Sequence, residues 1–65
     1  MDPVVLTEML NKSLAEKRGI TLFVASHSIA MIVTAVHGST TIEGRSQQYS
    51  RIVVGFSSVL AAAAT

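Results

Sequence analysis

The chain has 65 residues, no cysteine, a formal net charge of +1, and only 14% charged residues against 49% apolar ones. A chain of this length holds one domain at most and seldom stabilises a core without a staple or a partner. The missing cysteines exclude disulfides and thiolate metal sites, and two histidines with four carboxylates leave little material for a metal or another cofactor.

The five basic residues (Lys12, Lys17, Arg18, Arg45, Arg51) are dispersed and the aromatics number three (Phe23, Tyr49, Phe56). Neither a basic patch nor a stacking platform follows from that, so nucleic acid is not an expected partner.

Asp2-Pro3 opens a helix: the Asp side chain can accept the first free backbone N–H groups, and proline at the first helical position loses no hydrogen bond. Val5, Leu6, Met9, Leu10 and Leu14 then recur at helical spacing, with Glu8, Lys12 and Glu16 on another face, which predicts an amphipathic helix over residues 3–18. Lys17 and Arg18 favour the negative end of the helix dipole, and Gly19 is suited to the left-handed closing conformation. If lipid follows, Lys17 and Arg18 are also placed as interfacial anchors. The acidic residues of this first segment do not fit a secretory signal, and the N-terminus reads as mature.

Residues 19–42 carry no charge. As a helix these 24 residues would reach roughly 36 Å, against roughly 30 Å of hydrocarbon, which is long enough to span a bilayer. A stretch this apolar calls for burial in a membrane or in copies of the same chain. Thr21, Ser26, His27, Ser28, Thr34 and His37 make such a span marginal and ask for a second, protein-facing side. Ser26, Ala30, Thr34 and Gly38 form an i, i+4 series of small residues that would serve as a helix-packing face. His27 and His37, the side chains that ordinarily titrate near neutrality, are candidates for interhelical hydrogen bonds or for gating a pore. Ten residues apart on a helix they stand roughly 15 Å apart in rise, too far to share a metal.

Residues 39–50 are polar and read as a turn. Within them Ile42-Glu43-Gly44-Arg45 resembles the recognition tetrapeptide of the clotting protease factor Xa, a match read as chance because the sequence continues smoothly on both sides. Residues 51–65 are uncharged after Arg51 and end in four alanines before Thr65, which predicts a short apolar helix returning against the first.

The expected architecture is therefore all-α: the amphipathic helix, an apolar helix over 19–38, the turn, and a short apolar helix over 51–65. The β-branched runs at 20–26, 29–36 and 51–59 support an alternative, a small α+β domain with one helix and a three-stranded sheet.

No nucleophile elbow, phosphate-binding glycine loop or His-Glu metal motif is present, so no catalytic residue and no small-molecule substrate are expected. The leading functional expectation is a structural subunit that self-associates through apolar helices into a filament or membrane oligomer, with itself and lipid as partners, in a membrane or an extracellular or virion assembly. The layout of helix, apolar span, turn and second apolar arm resembles viral channel proteins, which would make the chain a His-bearing pore, and is similar to small pilin and filamentous-phage coat subunits. The α+β alternative carries a third expectation, a soluble homodimeric interaction module.

Overall fold

A computed structural model describes residues 2–64. It is α+β: helix α1 (Pro3–Glu16) is followed by strands β1 (Gly19–Phe23), β2 (Ser28–His37), β3 (Thr41–Arg45) and β4 (Ile52–Gly55), a 3-10 turn (Phe56–Ser58), and strand β5 (Ala61–Ala64). The strands form one antiparallel sheet in the order β4-β3-β2-β1-β5.

The all-α expectation is thus overturned, and the α+β alternative fits, with five strands where three were read. No helix among the described residues is long and apolar enough to cross a membrane. The membrane-spanning and helical-assembly readings, with the channel-like and coat-like layouts, go with it.

Helix α1 opens where Asp2-Pro3 predicts. Asp2 Oδ1 accepts from the Val4 N–H at 2.8 Å, and Pro3 stands at the first position. It closes sooner than expected: Lys17, not Gly19, takes the left-handed conformation at φ 55°, and both Lys17 and Arg18 donate their backbone N–H to the Ser13 carbonyl. Gly19 begins β1 instead. Leu6, Leu10 and Ser13 form the buried face of the helix, while Val5 and Leu14, read as part of the apolar stripe, are exposed.

The uncharged stretch 19–42 folds as strand, hairpin and strand because Val24 and His27 pair around a tight turn, the Val24 N–H donating to the His27 carbonyl at 2.9 Å. In a strand alternate side chains share a face, and the sequence obeys that period: Ile20 and Leu22 from β1, Met31 and Val33 from β2, and Ile42 from β3 all point inward and are almost fully buried. The chain therefore covers the inward half of this stretch itself. Leu6 and Leu10 of the helix, Val54, Phe56 and Val59 complete the same core.

The expected polar turn 39–50 contains a strand. Thr41–Arg45 is β3, pairing with both β2 and β4. Gly38, at φ +59°, makes the β2–β3 turn possible. Ser46 makes the β3–β4 turn: its hydroxyl accepts from the Gln48 and Tyr49 N–H groups, and its own N–H donates to the Tyr49 carbonyl.

The expected helix 51–65 is two strands joined by one 3-10 turn. Only five residues, 56–60, join β4 to β5, yet the two strands lie at opposite edges of the sheet. That connection reaches roughly 16 Å with three residues in 3-10 geometry, while a flat five-stranded sheet is roughly 19 Å across. The sheet is therefore rolled into an open barrel, with both edges unpaired among the described residues and the helix packed on β2, β5 and β1.

Gly44 permits the roll. A Cβ there would stand 2.7 Å from Met31 Sδ and 2.9 Å from the Ile32 carbonyl oxygen, so β3 can approach β2 this closely only as glycine. The Ile42-Glu43-Gly44-Arg45 tetrapeptide is accordingly integral to the sheet: Ile42 is core and Gly44 is a packing requirement.

Candidate interaction site at the sheet edges

The residues expected to carry function are dispersed by this fold. Ser26 lies in the β1–β2 turn, Ala30 and Thr34 on β2, and Gly38 in the β2–β3 turn, so the four do not share a helical face. Lys17 and Arg18 are exposed in the α1–β1 turn, where Arg18 Nε meets Glu16 Oε1 at 3.3 Å. His27 is exposed at the hairpin tip, its Nδ1 3.1 Å from Ser26 Oγ.

His37, by contrast, joins a cluster. Its Nε2 contacts Glu43 Oε2, and Glu43 Oε1 accepts from Arg51 Nε at 2.6 Å. One carboxylate on β3 thus ties the end of β2 to the residue preceding β4. The hydrogen bond to His37, then that to Arg51, hold the Glu43 carboxyl below its ordinary value of 4.5.

The candidate surface lies elsewhere, on the outer strands β4 and β5, and its geometry follows from the ladder. The Phe56 N–H donates to the Thr40 carbonyl at 3.0 Å, in register with the pairing of Ile42 with Val54. Hydrogen-bonded and non-hydrogen-bonded pairs alternate in an antiparallel ladder, so Val54 and Ile52 bond to β3 while the N–H and C=O of Val53 point away from the sheet.

The other edge resolves the same way. The Val24–His27 bond makes Leu22 and Ile20 the β1 residues bonded to β2, which leaves Thr21 and Phe23 to bond β5 through their partners Ala63 and Ala61. The N–H and C=O of Ala62 therefore point outward.

Neither edge strand is blunted by charge or by proline. Ile52–Gly55 and Ala61–Ala64 contain no charge and no proline, the devices that keep free edges from pairing. Large apolar side chains accompany both: Val53 is 53% exposed on β4, and Leu60 and Phe23 are 60% and 42% exposed beside β5. Nothing in the helical reading pointed here; the signal available in sequence was a short β-branched run, Ile52-Val53-Val54, without a charge to blunt it.

Ser13 is the second group missed from sequence. The pairing of β1 with β2, continued one step, would set Val33 opposite Arg18. The Ser13 hydroxyl stands in that place, accepting from the Val33 N–H at 3.4 Å and donating to the Arg18 carbonyl at 2.6 Å. The helix is thereby spliced into the sheet by a buried hydroxyl.

Comparison with protein-family models, with curated proteins and with solved structures finds no match for this chain.

Proposed function

We propose that the chain is a self-association module rather than an enzyme, assembling head to tail as β5 of one copy pairs along β4 of the next. The observation that supports this most is the pair of edges free of charge and proline, each presenting outward backbone groups at Val53 or Ala62 beside exposed apolar side chains. A contact of β4 with β4 would make a dimer and leave both β5 edges open. A single repeated contact of β4 with β5 covers every edge once the assembly closes, which a heterologous contact does as a ring when its rotation divides a full turn.

The test uses proline at the outward positions. Val53→Pro and Ala62→Pro each remove one outward N–H without removing a rung of the ladder inside the copy. Light scattering coupled to size exclusion should show an oligomer for the unmodified chain and a monomer for each variant, with circular dichroism confirming that both remain folded. An unmodified chain that stays monomeric at high concentration contradicts the proposal. If Ala62→Pro is dimeric and only Val53→Pro is monomeric, the contact is β4 with β4 instead.

A further inference from the structure

Away from both free edges, the outer face of the β1–β2 hairpin contains a hollow of about 350 Å³. Its floor forms because small side chains come into register across the two strands: Thr21 pairs with Ala30 and Gly19 with Ile32, so little side chain fills the outer surface at three of these four positions. Ile32 forms one wall. Arg45 and Gln47, at the end of β3 and in the turn after it, supply another part of the wall.

The chemistry of that wall is specific. Glu43 takes Arg51 and Glu16 takes Arg18, but among the described residues Arg45 has no carboxylate partner. A guanidinium is a planar fork that matches a carboxylate by two parallel hydrogen bonds, and it gains most beside an apolar surface that excludes water. A hollow of this volume, mostly apolar with a few convergent polar groups, has the character of a small-molecule site.

We propose that this hollow binds a small arylcarboxylate or similar amphipathic acid, its apolar body on Gly19, Thr21, Ala30 and Ile32 and its carboxylate on Arg45, with Gln47 donating from its side-chain amide. The lining includes neither β4 nor β5, so binding stands or falls independently of edge pairing.

The experiment is a titration of the full ¹⁵N-labelled chain with phenylacetate and, separately, with uncharged phenylacetamide. Phenylacetate should produce saturable amide shifts at Gly19, Thr21, Ala30 and Ile32, and bind more tightly than phenylacetamide. Arg45→Gln should weaken phenylacetate by about tenfold or more, the loss that removing a charge-assisted pair produces, and leave phenylacetamide unchanged. Ala30→Leu, at an exposed position, should fill the hollow and abolish both shifts.

Equal binding of the two probes, an unaffected Arg45→Gln, or no saturable shift at these residues would overturn the assignment. So would a single-stranded oligonucleotide that saturates them where phenylacetate does not, which would give the hollow to nucleic acid.

Discussion

Ser13 illustrates how one hydroxyl decides where a helix sits. It is buried, yet it supplies an acceptor to Val33 and a donor to Arg18 at the point where the β1–β2 ladder stops. Ser13→Ala leaves both backbone groups without that partner and should lower stability by about 1–3 kcal/mol in denaturant unfolding. Gly44→Ala should cost about 1–3 kcal/mol by the same measurement, because the added methyl meets the Ile32 backbone and Met31 rather than open space.

Glu43 makes a pH prediction. Its folded carboxyl titrates below the ordinary value, so its stabilising contribution is present above the unfolded value and lost as pH falls through the folded one. Thermal stability should therefore decline in acid, and Glu43→Gln should flatten that decline; an unchanged pH profile in Glu43→Gln would show that the cluster does not set the acid stability.

At this scale the sequence was legible where the determinants are adjacent, as in the Asp2-Pro3 helix start. It was illegible where they are distant: Ser13 acts on a residue twenty positions away, and Gly44 is required by Met31 and Ile32 across the sheet.

Elements were misread for related reasons. Absence of charge over residues 19–42 measures burial and not geometry, and a buried hairpin satisfies it as well as a buried helix. Alternation of Ile20 and Leu22, and of Met31 and Val33, with less buried neighbours carried the strand signal. The Ser26-His27-Ser28 run lies at the hairpin turn, the break that separates one span of 24 residues from two strands.

The alanines of β5 show tertiary structure overriding propensity. Alanine favours helix, but four residues are too few to nucleate one, whereas the outward backbone groups of Thr21 and Phe23 require partners. The register makes a local prediction. Ala63→Pro removes a bond to β1 and should destabilise the single copy, while Ala62→Pro removes only an outward group. Unfolding midpoints measured for monomeric forms should fall more for Ala63→Pro, and the reverse order would refute the assigned register.

Across the whole molecule, the short connection between β4 and β5 is what creates the functional problem. It rolls the sheet so that the chain can cover its own core, yet leaves one free strand at each edge. The size and low charge of the chain point to a partner, and the surface proposed for it is a pair of strand edges where the sequence reading expected a helix face.

The proposed head-to-tail contact makes the two edge variants complementary: Val53→Pro keeps a working β5 and Ala62→Pro keeps a working β4. Native mass spectrometry of an equimolar mixture of the two tests this directly. Head-to-tail pairing predicts a one-to-one heterodimer at twice the 6.9 kDa chain mass, with each variant monomeric alone. A mixture that stays monomeric while the unmodified chain assembles would contradict it.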